Sequence, residues 1–192
     1  MFQELLKKYP KGRGVEVGVF KGSFSKELLD MWSGTLYMVD IWRQEDFDKY
    51  QDQSNHAFHS DAWSITMDNI REYESRAIMI RSDSFVASEI FANESLDFIY
   101  LDSNHAYEHV SKELDIWYSK LKPGGLFSGH DYLDLDWYND PHYNEQTKDL
   151  HIWSDTYMGK FGVNPAVDEF CKKRGYNFNV TKEFLGTWYF IK

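Results

Sequence analysis

The sequence predicts an α/β fold: one doubly wound sheet with helices on both faces. Three observations carry that expectation. Short β-rich runs alternate with segments of helical spacing, most of the β-rich runs end in glycines or acids, and two further β-rich runs, "YNFNV" and "TWYFIK", read as a closing antiparallel pair.

The first strand is "GVEVGVF" (14–20), followed by "SFSKELLDMW", where Phe24, Leu28, Leu29 and Trp32 fall at helical spacing. "TLYMVD" (35–40) is the second strand. A polar, aromatic stretch over 41–56 leads to a helix with Phe58, Ala62, Ile65, Ile70 and Tyr73 along one side. "AIMIRSD" (77–83), "LDFIYLD" (96–102) and "GGLFSGHD" (124–131) continue the strands, with helices near 84–92 and 106–120. In the second of these helices, Val110, Leu114, Trp117 and Leu121 mark the buried face. "KPGG" (122–125) reads as a structural turn into the fifth strand. Five strands alternating with helices give a parallel sheet with right-handed crossovers, and ligands belong at the carboxyl ends of its strands.

Over 133–160 the rhythm stops; acids and aromatics without apolar periodicity read as an active-site insertion or lid. A last helix over 163–174 turns Ala166, Val167, Phe170 and Cys171 inward and stops at Gly175. With no internal repeat, low-complexity tract or linker, residues 1–192 read as a single domain carrying two polar-aromatic insertions.

The balance of 31 acidic against 21 basic residues, a net charge of −10, would repel a phosphate backbone, so nucleic acid is not expected as a partner. One cysteine, Cys171, permits no internal disulfide, and the opening "MFQELLKKYP" lacks the apolar core of a secretory signal. No stretch approaches the roughly 20 apolar residues of a membrane span. A soluble, cytoplasmic protein without a membrane partner is the expectation.

"VEVGVFKGSFS" sets Glu16, Gly18, Phe20 and Gly22 at every second position before a helix, where glycines let a ligand approach the backbone at a helix N-terminus. The spacing G-x-x-x-G departs from the dinucleotide fingerprint, so a nicotinamide oxidoreductase is a distant alternative, and a tight turn without a ligand is the plain one. Asp40 ends the second strand about twenty residues later, where a carboxylate can accept from both hydroxyls of a ribose. Asp83 and Ser84, after the third strand, either face an adenine edge or cap the next helix.

Together with "DFIYLDSNHAYEHVSKELDIWYSKLKPGGLFSGHDY", these segments resemble the class I S-adenosylmethionine-dependent methyltransferases, and most of all the sugar O-methyltransferases and their catechol-type, metal-dependent relatives. The likeness runs from about residue 12 to 132 and resumes at "FGVNPAVDEFCKKRGY". It implies a seven-stranded Rossmann-like sheet with the last strand antiparallel. It also implies that Glu16, Gly18, Phe20 and Gly22 hold the methionine end of S-adenosylmethionine, Asp40 the ribose and Asp83, with Ser84, the adenine. Phe20 and Ser103 stand where members commonly carry glycine. His130 before Asp131 stands where the metal-dependent members carry acidic or amide oxygens.

Methyl transfer from a sulfonium is an in-line displacement, so an acceptor hydroxyl must be placed behind the methyl group and lose its proton. Asp102 and Asp131 offer hard oxygens from neighbouring strand ends, suited to magnesium or manganese, with His130 as a third ligand or as the base itself. His105 occupies the position at which catechol-type relatives carry their base, which implies that role here. Asp102 or Asn104 capping the helix near 106, and Glu108 and His109 facing solvent, are the plain readings.

In the insertions, Trp137, Tyr138, His142, Tyr143, Trp153 and Tyr157 alternate with Asp134, Asp136, Asp140 and Asp155. Trp42, Phe47 and Tyr50 stand among Asp46, Asp48 and Asp52. Flat apolar faces beside acceptors suit sugars, so Trp137, Tyr138 and Trp153 are expected to bind a small-molecule or glycan acceptor. Packing onto the body of the domain, or a homodimer interface, is the alternative. The expected function is a cation-assisted O-methyltransferase of a sugar or another polyhydroxylated molecule. A metal-independent methyltransferase and a non-catalytic nucleotide-binding module are the alternatives.

Overall fold

The computed structural model describes residues 2–42, 61–73, 75–133, 162–182 and 185–192. Its strands are β1 (Arg13–Val17), β2 (Thr35–Asp40), β3 (Ala77–Arg81), β4 (Leu96–Leu101), β5 (Leu121–Leu133), β6 (Asn179–Val180) and β7 (Leu185–Ile191). The helices among the described residues are α1 (Phe2–Leu6), α2 (Ser23–Met31), α3 (Ala62–Ile70, prolonged by a 3₁₀ turn over Arg71–Tyr73), α4 (Ser84–Ser88), α5 (Tyr107–Lys120) and α6 (Val163–Arg174). The sheet order is β3-β2-β1-β4-β5-β7-β6. β1 to β5 pair in parallel, and β7 runs antiparallel to both β5 and β6, as expected for this fold class. The chain winds outward in both directions from the β1–β4 pair, and the crevice beyond their carboxyl ends is where such sheets bind ligands.

Burial on both faces explains why β4 reads as a continuous apolar run after Asp97, from Phe98 to Leu101. Ile99 and Leu101 enter a core built with Val110, Leu114 and Trp117 of α5 and Phe170 of α6. Phe98 and Tyr100 enter a second core, with Leu6 of α1, Leu28 and Leu29 of α2 and Ile70 of α3. Truncating Trp117, which is fully buried, would cost about 3–5 kcal/mol in lost transfer and cavity terms.

The expected and observed elements differ in several places. The short α1 carries no sequence signal strong enough to announce it. β1 ends at Val17 because Gly18 takes φ 88 and leaves the extended region. α4 stops at Ser88, short of residue 92. On α3 the buried stripe is Ala62, Thr66 and Ile70, with Ile65 only half-buried, while Phe58 lies outside the described residues. "KPGG" falls within β5 as a bulge: two steps along β4, from Leu96 to Phe98, answer five along β5, from Leu121 to Leu126. Gly124, at φ 79, and Gly125 tie that bulge to Lys192 through backbone bonds of 2.8 and 3.0 Å.

Candidate active site

The turn after β1 is built mostly from backbone. A Cβ on Gly18 would stand 1.9 Å from the Asp102 carbonyl oxygen, so only glycine lets β1 and the end of β4 approach this closely. Asp40 then gathers the loop: its Oδ2 accepts the N–H groups of Val19 and Phe20, each at 2.8 Å, and its Oδ1 accepts Trp42 N–H at 2.7 Å. Phe20 is held at φ 53, an unusual conformation for a bulky side chain. Its carbonyl accepts from Trp42 Nε1 and Thr66 Oγ1, both at 2.9 Å, while Asn69 Nδ2 donates to Lys21 O. Gly22, at φ 72, starts α2. Beneath the turn Glu16 is 1% exposed and accepts from Ser25 Oγ at 2.5 Å. Burial, reinforced by Asp102 and Asp40 and opposed by Ser25, pushes its carboxyl well above the usual range.

Across the sheet, Asp83 Oδ1 accepts from Phe85 and Val86 N–H and so caps α4. Ser84 is buried and accepts Trp117 Nε1 at 3.0 Å. These two residues fill the capping and packing roles open to them. Trp42 takes the packing alternative among the insertion aromatics: it is 3% exposed and packs edge-on against Trp63 at 4.9 Å, so that its indole completes the core. Trp137, Tyr138 and Trp153 lie outside the described residues.

The ends of β4 and β5 bring four side chains together. Strand alternation would send His130 and Asp131 to opposite faces, but between Gly129 and Tyr132 β5 advances three residues while β7 advances two, from Trp188 to Gly186. The extra residue, with Asp131 at φ 59, is a bulge that turns both toward Asp102. His130 Nδ1 lies 3.0 Å from Asp131 Oδ1 and 4.0 Å from Asp102 Oδ1. His105 Nε2 lies 2.6 Å from Asp131 Oδ2 and 3.9 Å from Asp102 Oδ1. One donor atom from each of Asp102, His105 and Asp131 falls within 4.8 Å of the other two. Burial alone would raise Asp131, but bonding to His105 and His130 outweighs it and holds the carboxyl below its ordinary value. Asp102 is raised, chiefly by burial, with His105 opposing.

The loop after β4 has an anchor that the sequence reading did not single out. Ser103 Oγ donates to both oxygens of Glu113, at 2.6 and 2.8 Å, and His109 Nε2 sits 3.2 Å from Glu113 Oε1. His109, expected in solvent, is thus half-buried, its ring 4.7 Å from Phe85, whereas Glu108 is exposed as read. Asn104 Oδ1 accepts Ala106 N–H at 2.8 Å, a turn just before α5; Ala106 itself is the cap residue, with no side-chain cap bond. An acid on the apolar stripe of α5 was the readable signal for Glu113, since a buried carboxylate needs partners.

A family described as "Methyltransferase domain" matches residues 15–132, more than half of the chain. The protein belongs to that family. It is an S-adenosylmethionine-dependent methyltransferase with a class I fold. Solved structures of similar fold include a protein from Methanococcus maripaludis provisionally named an S-adenosyl-L-methionine-dependent methyltransferase. It is 14% identical, has TM-score 0.61, and the alignment covers 99% of this chain and 82% of that one. An O-methyltransferase family protein from Burkholderia thailandensis is 12% identical with TM-score 0.64, covering 98% of this methyltransferase and 54% of that chain. Spermidine synthase from Thermotoga maritima is 16% identical with TM-score 0.57, covering 100% and 59%. This chain therefore spans little more than half of the latter two. At such identities the likeness establishes the fold alone, and the synthase, whose name denotes another reaction, shows that chemistry must be read from the site. No curated protein sequence matches the methyltransferase. None of the described helices is long and apolar enough to cross a membrane.

Proposed function

We propose that this methyltransferase transfers its methyl group to a hydroxyl of a sugar or another polyhydroxylated small molecule, with a divalent cation bound by Asp102, His105 and Asp131. The carrying observation is the convergence of those three donor atoms within 4.8 Å, beside the glycine turn. The donor set fits the group. Two carboxylates supply the hard oxygens that magnesium and manganese take, and one imidazole tilts the preference toward manganese. When bound, the cation supplies a Lewis acid that lowers the pKa of an oriented hydroxyl.

The likeness to catechol-type enzymes implies His105 as the base and leaves His130 open as ligand or base; the distances favour His130 as base and His105 as ligand. Asp131 faces His105 with Oδ2 and His130 with Oδ1, so one carboxylate serves both neighbours. Nδ1 of His130 is directed at Asp131, so we assign the acceptor's proton to its Nε2, and the anionic Asp131 stabilises the imidazolium that results. On the donor side, Gly18, Phe20 and Gly22 present the β1–α2 turn to the methionine end, with Glu16 supporting it from below. Asp40 reaches the ribose, and Asp83 and Ser84 border the adenine. The insertions bearing Trp137, Tyr138 and Trp153 suit the acceptor.

Labelled S-adenosylmethionine incubated with a panel of sugars and glycans, with and without EDTA, tests this. A methylated sugar hydroxyl whose formation stops in EDTA and returns with manganese is the expected result. Full activity in EDTA would overturn the cation, and methylation confined to non-hydroxyl acceptors would overturn the substrate class.

A further inference from the structure

Resting on the cation reading above, we propose that α6 is a positioning brace that sets the separation of His105 and Asp131. Its entry residue, Gly162, donates its N–H to the His105 carbonyl at 2.7 Å. Gly162 has φ −136, which any residue can adopt, so its dihedral does not require glycine. Space does. A Cβ there would stand 2.2 Å from the Cβ of Tyr107 and 2.7 Å from its backbone nitrogen, driving α6 and the start of α5 apart.

Two neighbouring acids on α6 then reach to either side of the donor set. Glu169 Oε2 accepts the hydroxyl of Tyr107, two residues beyond His105, at 2.6 Å. Asp168 Oδ1 accepts the hydroxyl of Tyr132, the residue after Asp131, at 2.8 Å. The helix itself is fixed to the same two elements by Phe170, whose ring lies 5.4 Å from Tyr118 on α5 and 6.0 Å from Phe127 on β5. One rigid element thus holds the α5 side through His105 and Tyr107 and the β5 side through Tyr132. These bonds end on the His105 carbonyl and on residues beside the donor set, Tyr107 and Tyr132. A donor set must be held to within about 0.5 Å, and bonds one residue outside the ligands commonly decide whether it is.

Calorimetric titration of the full chain with manganese, and separately with S-adenosylhomocysteine, tests the brace. Gly162→Ala should weaken manganese binding by about tenfold while S-adenosylhomocysteine affinity stays within about twofold. Asp168→Ala/Glu169→Ala, at exposed positions that spare the core, should weaken manganese by roughly three- to tenfold. Asp168→Asn/Glu169→Gln should restore it, because an amide oxygen still accepts a tyrosine hydroxyl. If the wild type binds manganese and the double alanine variant binds it equally well, the brace is overturned. It is also overturned if manganese and S-adenosylhomocysteine affinities fall together, which marks a wider loss of structure. A wild type that binds no manganese overturns the cation reading, and the brace with it.

Discussion

At the carboxyl ends of β1 and β2, backbone amides converge on one carboxylate. Val19, Phe20 and Trp42 all donate to Asp40, and glycines at 18 and 22 leave room for the turn. At the carboxyl ends of β4 and β5, two acids and two histidines lean on one another within 2.6–4.0 Å, mostly through side chains alone. The first region is already satisfied by its own hydrogen bonds, so it offers a preformed seat whose shape changes little with protonation. The second region is held by contacts between ionisable side chains, so its geometry depends on who carries a proton and on what else binds. A cofactor common to a whole family suits a seat made of backbone, whereas proton removal from a particular acceptor needs ionisable groups that can be tuned.

The largest expected effect separates the two histidines of the second region. His130→Gln should lower kcat by about 10²- to 10⁴-fold, the usual cost of losing a positioned base, while manganese affinity stays near that of wild type. His105→Gln should instead weaken manganese by at least about tenfold. Single-turnover rates and manganese titrations read the two apart, and the opposite pattern would return the base to His105. Neither variant should disturb S-adenosylhomocysteine binding, since the first region shares no side chain with them.

Next in size is a change that joins the regions by force. Gly18→Ala puts a methyl group against the Asp102 carbonyl and strains a φ of 88. It should cost roughly 3 kcal/mol or more of stability, which thermal unfolding would show as a fall of about 6–12 °C for a domain of this size. A variant that melts within about 2 °C of wild type would mean the two strand ends can separate cheaply.

The two regions also differ in how well the sequence announced them. Glycines, a strand-terminal Asp40 and the alternation of runs are local signals, so the sheet, its closing antiparallel pair and the first turn were all legible. Asp102 and Asp131 were named as well, because strand ends are where an α/β sheet binds, and His105 was named through the likeness to catechol-type enzymes, as a base. What did not show was the bulge at His130–Asp131: periodicity of two puts neighbours on opposite faces, and only the mismatch with β7 reverses that. It moves His130 beside Asp131, and the resulting distances bring His105 into the donor set. Trp42 was left open between facing the acceptor and packing onto the domain for a related reason. The residues that follow it are polar, and nothing local reveals that α3 brings Trp63 against its ring while its indole N–H donates to the Phe20 carbonyl.

The smallest expected effect asks whether the first region is as insensitive to protonation as its hydrogen bonds suggest, and Glu16 is the place to ask. This carboxyl is 1% exposed, bonded to Ser25 and faced by the negative fields of Asp102 and Asp40. Its pKa in the folded protein is raised by burial above the value near 4.3 that it has in an unfolded chain. Below that value the group is protonated in both states and contributes no difference. Above it the unfolded chain ionises while the folded protein still holds the proton, so stability falls as pH rises until the folded carboxyl also ionises. Each pKa unit of that gap is worth about 1.4 kcal/mol. Glu16→Gln removes the ionisation and keeps an oxygen for the Ser25 hydroxyl. The variant should therefore melt close to wild type at pH 4 and a few degrees above it at pH 8, with S-adenosylhomocysteine affinity within about threefold, well inside the decade that corresponds to 1.4 kcal/mol. Melting temperatures across pH 4–8 read this directly. A wild type that outlasts the variant at pH 8 would show that the charged carboxylate stabilises the turn, and the contrast between a backbone seat and a cluster of ionisable side chains would then fail at its centre.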